Sequence, residues 1–472
     1  MTGSKSPTPS PAERRANSLQ TMEKRISEQQ YTDLYEQCRD MVCTHACNVM
    51  NGEREAAYER FKAQGFPSRK VERYKYTDMA KVFAPDYGLN LRRLMIPTDP
   101  YALFSCAVPN LSTSLYFVVN DMVMPPGTTD GRQLPQLPEG VIVGSLSQAP
   151  EQMVSGLYNR LAAKGGDAVT DLNTMLAQDA LLVYVPRGVV VERAIQVINI
   201  LRSDVDLMVN RRVLIIVEEG AEVKLLFCDH AADDRHFLTT QVIEAFVGER
   251  ANLELYCLEE THTKCSRVSN VYIDQQRDSR VQHNVITLHN GLTRNRLDLT
   301  LSGEGAECRC NGCVIADKEQ HVDNNTLITH HATHCTSQQL YKYVLDDNAT
   351  GAFAGKVYVA HGAQQTVSQM TNQNLVTTPQ ARMYTQPMLE IYADDVKCAH
   401  GATVGQLNDA AMFYMRQRGI SEKEARTLLV QAFLTEAIDQ ISLTPLRDRL
   451  HYLVEKRIRG EFNKCAGCKL CR

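Results

Sequence analysis

The sequence predicts a mainly β protein, with a long strand-rich core between two helical ends. Three observations carry this. From about Ser114 to Cys398 short β-rich runs dominate, such as Leu115–Val119, Leu181–Val185 and Val213–Val217. Turn-like stretches followed by alternating apolar residues recur within that span, as in Glu218–Phe227, Val247–Tyr256 and Ser302–Cys310, with related turns near Arg280, Ala349, Ala363 and Ala381. After Gly405 the apolar period changes from two to that of a helix. Successive turn marks lie roughly 14 to 30 residues apart, the degenerate self-similarity of a solenoid, whose coils bury their apolar faces only by stacking. Composition alone leaves a parallel β-helix and a large sandwich both open.

In chain order, residues 1–11 read as a Pro- and Ser-rich disordered tail without the apolar stretch of a secretory signal. Residues 12–113 form a helical region and a junction. Within them Arg54–Gly65 has good helix formers and stops at Gly65, with Pro67 beyond. Residues 114–405 make the strand core, and residues 406–472 a helical end with a cysteine-rich tail. There Asn408 is placed to cap a helix that Gly419 ends, and Ser421 with Glu424 makes a capping box. Ala425, Leu428, Leu429, Ala432 and Phe433 give an apolar stripe expected to pack internally. A third helix is expected from Pro445 towards Gly460.

Bulk properties exclude several classes. A net charge of −4 and a pI of about 6.4 give no pull towards nucleic acid or anionic membrane. No apolar run has transmembrane length. Without an export signal the 15 cysteines are expected as reduced thiols in a cytoplasmic compartment. There is no G-x-x-x-x-G-K-[ST] phosphate cradle, no G-x-S-x-G elbow and no HExxH helix.

The chemistry-bearing residues are cysteines and histidines. Cys398 and His400, two apart in an alternating run, fall on one face of a strand. Sulfur and imidazole together suit zinc, copper or an iron–sulfur centre. Unaided, such a pair is more often buried strand residues than ligands. His330, His331, His334 and Cys335 look like a metal cluster by composition, but alternate strand residues point apart, so they are expected as satisfied strand and turn residues. Cys308 and Cys310 share a face and are expected inside the solenoid. In the tail, Cys465, Cys468 and Cys471 make two CxxC units sharing a cysteine, a soft-metal or iron–sulfur arrangement lacking its fourth ligand.

Several stretches resemble the SufB/SufD family of iron–sulfur cluster assembly proteins, and its SufD branch in particular. They are GFPSRKVERYKYTDM (Gly65–Met79), HVDNNTLITHHATHCTSQQLYKYVLDD (His321–Asp347), FAGKVYVAHGAQQT (Phe353–Thr366), QNLV (Gln373–Val376), PMLEIYADDVKCAHGATVGQL (Pro387–Leu407) and FYMRQRGI (Phe413–Ile420). One departure is Tyr74, where the family usually has Trp. The resemblance implies a right-handed parallel β-helix flanked by helical N- and C-terminal domains. It implies a scaffold subunit, not an enzyme, working in a SufB–SufC–SufD complex. There His400, and more weakly Cys398, would touch a nascent iron–sulfur cluster at the edge facing a SufB-like paralogue. A SufC-like ABC ATPase would dock on the C-terminal helices, and a homodimer would form without SufB. The resemblance also brings flavin into consideration, which the residues do not decide. Two other readings stand beside it: a metal-dependent enzyme using a Cys/His site on a β-solenoid, and a pure interaction solenoid.

Overall fold

The computed structural model describes residues 11–94, 114–125 and 136–460, with side chains from residue 27 onward among them. Its centre is a parallel β-helix of about eight coils. From Leu181–Val185 to Val396–Gly405, successive strands alternate between a nine-stranded and a ten-stranded sheet. Each strand pairs in parallel with the one a full coil away, as the resemblance implied and as a sandwich would not. Corresponding strands start at Leu207, Phe237, Cys265, Leu292, His321, Thr350 and Arg382, so a coil takes roughly 30 residues. Two antiparallel pairs close the first end, Ser114–Val119 with Met122–Val123 and Ile142–Ser145 with Leu181–Val185.

One corner recurs from coil to coil. Between the sheets a left-handed residue recurs at Gly220, Arg250, Asp278, Gly305, His334 and Gln365. That conformation turns the chain sharply enough to send the next strand back across the core. The turn marks legible in the sequence are these corners and their counterparts on the other side.

The apolar core fills the space between the sheets: Val213, Ile215, Leu225, Phe227, Leu253, Leu255, Leu299, Tyr341, Phe353 and Met370 all belong to it. Cys308 and Cys310 lie there as expected, both buried. An ionic file interrupts it. Arg211 donates to Asp229 at 2.6 Å, and Arg267 pairs with the other Asp229 oxygen at 3.1 Å. Arg267 also donates to Asn295, Asn295 to Asn324, and Asn324 to the Tyr343 hydroxyl, so polar contacts cross several coils inside the solenoid. Glu259 lies beside this file and accepts from Thr293 Oγ1 at 2.8 Å.

Helices cover both outer faces. Tyr31, Tyr35, Phe61, Phe66 and Phe83 pack on Met208, Leu238 and Val268 of the nine-stranded sheet. These aromatics come from the helices Pro11–Thr44, Asn48–Gln64 and Met79–Phe83 and the loop after Gln64. Gly65, at φ +59, ends the second helix where expected. Residues 151–176, placed within the strand core by the sequence, instead form three short helices on that same sheet, Glu151–Val154, Arg160–Gly165 and Ala168–Leu176. The reason is a buried anchor. Glu244 accepts the backbone N–H groups of Asn159, Leu161 and Ala162 and pairs with Arg212 at 2.8 Å, both side chains fully buried.

The Gly65–Met79 segment is a clamp. Arg73 bonds Asp298 and Asn325. The Tyr74 hydroxyl donates to Asp167, and the Arg294 guanidinium lies 3.9 Å from its ring. Thr77 donates to Asp323 at 2.6 Å and meets His321 at 3.0 Å. Tyr74 thus offers its ring face to a buried guanidinium and its hydroxyl to a carboxylate. Burial would raise the Asp167 carboxyl, but Arg296 and the Tyr74 hydroxyl outweigh it and hold it below the usual range.

On the ten-stranded sheet, Ile198, Leu226, Ile286 and Val344 meet Val430, Leu434, Ile438, Leu446 and Leu450 of the helices Glu422–Ile438 and Thr444–Ile458. Asn408 and Ser421 cap their helices as expected, accepting from the N–H groups of Ala411 and Glu424. The predicted stripe is corrected. Ala425 is buried, but Leu428 is exposed, and the packed face runs through Val430, Leu434, Ala437 and Ile438. The helix offers two apolar registers, and docking on the sheet selects the second.

Two predictions follow from the buried charges. Arg212→Met and Glu244→Leu should each lose about 3–5 kcal/mol of stability in urea unfolding, and the double variant less than their sum, because each single change strands a buried charge. Burial pushes Glu259 up to about 7, against the pull of Arg267. A carboxyl raised on folding stabilises fully below its unfolded pKa of about 4.3 and loses that contribution as pH rises through its folded value. Glu259→Gln should therefore lack a decline in stability that the parent chain shows between about pH 5 and pH 8.

Candidate functional site

Among the described residues no further coil stacks on the last one. Its strands, Arg382–Ile391 and Val396–Gly405, are there each hydrogen-bonded to another strand on one side only. Their outer edges carry unpaired backbone donors and acceptors, a template for another strand. Tyr384, Ile391, Tyr392 and Val404 are exposed on this coil. Cys398 and His400 lie on the Val396–Gly405 strand, on the side that faces the solenoid interior. Cys398 is in register with Ser368 and His400 with the buried core residue Met370. The sequence-predicted pair is thus on one face, as its spacing required. Cys398 is partly buried against the core. Burial pushes its thiol up, opposed by hydrogen bonding at the Ser368 backbone. Metal binding there must displace the thiol proton and strengthens as pH rises. His400, nearer the strand's far end, is exposed.

The pair offers soft donors but not a closed shell. Among the described residues no three His, Cys, Asp or Glu side chains gather where one metal ion could sit. An iron–sulfur cluster takes four ligands, so at this edge the remainder would come from outside the coil.

The histidine-rich tract is dispersed as expected. His330 is buried and bonds Ser337 at 2.9 Å, which bonds Ser368 at 2.8 Å. Burial pushes His330 down to about 4, so it is neutral. His331 packs edge-on towards Tyr358. His334 occupies the left-handed corner and points to Glu304, at 3.7 Å. Cys335 turns inward and its thiol donates to the Gly303 carbonyl. Cys465, Cys468 and Cys471 lie outside the described residues.

Sequence reading missed what supports the pair. Ser368 and Met370 stand one coil earlier in the same register, so the signal was the coil period itself. It also missed the exposed aromatic pair Phe413 and Tyr414. They sit on the helix Asp409–Gln417, none of whose residues is buried.

Comparison with known proteins agrees with this architecture. A family model described as the SufBD protein N-terminal region matches residues 25–197. A second, described as the SUF system FeS cluster assembly SufBD core domain, matches residues 200–433. An iron–sulfur cluster assembly SufBD family protein of Synechocystis sp. is 28% identical over 423 residues, covering 87% of this chain and 91% of its own. The iron–sulfur cluster assembly protein SufD of Escherichia coli is 27% identical over 399 residues, covering 84% and 90%. The chloroplastic protein ABCI7 of Arabidopsis thaliana is 26% identical over 413 residues, covering 84% and 83%. Fold and matches together define the class, a β-helical protein of iron–sulfur cluster assembly. Within it, the chain belongs to the SufB/SufD family, and its likeness to the Escherichia coli protein is consistent with SufD.

Proposed function

We propose that this chain is a non-enzymatic scaffold subunit that holds a nascent iron–sulfur cluster jointly with a SufB-like paralogue, in a complex driven by a SufC-like ABC ATPase. The single observation that carries the reading is the last coil. It combines an unpaired strand edge with two soft donors, Cys398 and His400, that do not complete a shell by themselves. A second β-helix end added to that edge would extend both sheets and supply the missing ligands. Without the paralogue, a second copy of this chain would take the same edge. The cluster is cargo, assembled and passed on. The lack of a convergent third ligand among the described residues weighs against the metal-dependent enzyme.

The chain has no P-loop motif, so nucleotide hydrolysis falls to a partner. Phe413 and Tyr414 are 64% and 60% exposed and stand away from the face that docks the helices on the sheet, which supports reading this helix as the ATPase contact. The Cys465, Cys468 and Cys471 tail follows as an auxiliary thiol set that tunes cluster handling. A cytoplasmic setting fits the reduced thiols, and among the described residues no helix is long and apolar enough to cross a membrane.

Two measurements test this. With the paralogue and ATPase present, His400→Ala should leave complex formation intact and lower cluster yield, read by absorbance and iron content, by about tenfold or more, since even partners behind a ligand cost that much. Unchanged yield removes His400 as a ligand. The Phe413→Ala, Tyr414→Ala double variant should weaken ATPase binding by about 2 kcal/mol, roughly 30-fold, as expected for paired aromatic anchors. Undiminished affinity places the ATPase elsewhere.

A further inference from the structure

We propose that the Glu72–Tyr76 segment is a strap that holds the Arg382–Ile391 strand of the last coil, with Glu72 and Tyr76 as positioning residues for the edge that a partner strand joins. The strap stands on contacts within this chain, and only the identity of the partner rests on the function proposed above.

The segment crosses the outer face of the nine-stranded sheet from strand to strand. Arg294, Asp323, Ala352 and Tyr384 are successive register partners in one transverse row of that face. Arg296, Asn325, Ala354 and Gln386 make the next row. The first contacts lie on the inner coils. Arg294 donates to the Arg73 carbonyl at 2.6 Å, Thr77 donates to Asp323 at 2.6 Å, and Arg73 donates to Asn325 at 2.8 Å. The last contacts lie on the terminal strand. The Tyr76 ring stacks on Tyr384, with centroids 4.7 Å apart and planes 17° apart. The Gln386 amide donates to Glu72 at 2.9 Å, and the Tyr76 hydroxyl donates to the Gln386 side-chain oxygen at 3.5 Å.

Between those contacts the segment passes the Thr350–Val359 strand. Ala352 and Ala354 alternate with the core residue Phe353, so they face outward, and both are buried. A methyl group at each position leaves the segment room to cross. The two rows thus bind the segment firmly to the inner coils, leave it a shallow path, and end on side chains that grip the terminal strand.

A strand edge templates another strand only while its donors and acceptors hold their register. The Arg382–Ile391 strand has a neighbouring strand on one side only, among the described residues. Residues 310 positions earlier in the chain then supply a second hold, on its outer face. Ordering the strand before the partner arrives lowers the cost of association. The contacts named above all fall on the nine-stranded sheet, so the Val396–Gly405 strand serves as an internal control.

Amide exchange of the full-length chain, read by mass spectrometry at matched oligomeric state, tests the strap. Tyr76→Ala should speed exchange across 382–391 by about tenfold, roughly what an aromatic pair is worth, and leave 350–359 and 396–405 at parent rates. Tyr384→Ala should do the same, and the double variant should be no faster than either alone. Tyr76→Phe keeps the stacked ring and should restore the parent rate. Binding of the SufB-like paralogue should weaken about tenfold in Tyr76→Ala and recover in Tyr76→Phe. Parent rates at 382–391 in both alanine variants, or a speed-up spread evenly over all three strands, overturn the strap. Faster exchange with unchanged paralogue affinity overturns the positioning role. A paralogue that does not bind the parent chain sinks the proposed function instead, and the exchange comparison then decides the strap by itself.

Discussion

The structure depends on one constraint: every coil must satisfy its backbone on the coils above and below. Parallel pairing at constant register fixes the coil length near 30 residues. It also fixes which side chains face inward, because the same alternation is carried from coil to coil. The left-handed corner residues keep that period, and the helices then have two continuous outer faces on which to dock. Where the coils stop, the constraint is unmet, and Cys398 and His400 stand there.

Burial of charge is the second organising feature, and it runs in three places with different consequences. Arg212 and Glu244 pin a helical segment that sequence periodicity does not reveal. The Arg73, Tyr74 and Thr77 clamp explains why the Gly65–Met79 segment is rich in polar and aromatic residues, and the same segment reaches the last coil, where Tyr76 stacks on Tyr384 and Glu72 accepts from Gln386. The Arg211–Asp229–Arg267 file threads the solenoid interior, where apolar residues would pack more cheaply.

Much of this was legible beforehand. Alternating apolar runs and recurrent turns marked the solenoid, although only the family resemblance separated it from a sandwich. The caps at Asn408 and Ser421 and the stop at Gly65 were readable because each is a local interaction. The shared face of Cys398 and His400 was readable for the same reason, being two residues apart on one strand. What escaped was long-range. The helices between Glu151 and Leu176 depend on Glu244, the choice of Val430 and Leu434 over Leu428 depends on the sheet beneath, and Ser368 is met only one coil away. No pattern within a short window encodes those partners.

The open last coil has a mechanical meaning as well. A solenoid is close to a one-dimensional array, in which each unit is held by its neighbours. A terminal unit with a neighbour on one side only opens first and most often, so amide exchange should be fastest there and slow progressively inward. The candidate ligands therefore ride on a coil that opens more readily than those stacked on both sides. A partner strand joining the edge would stiffen it, coupling assembly of the subunits to the precision with which the cluster is held.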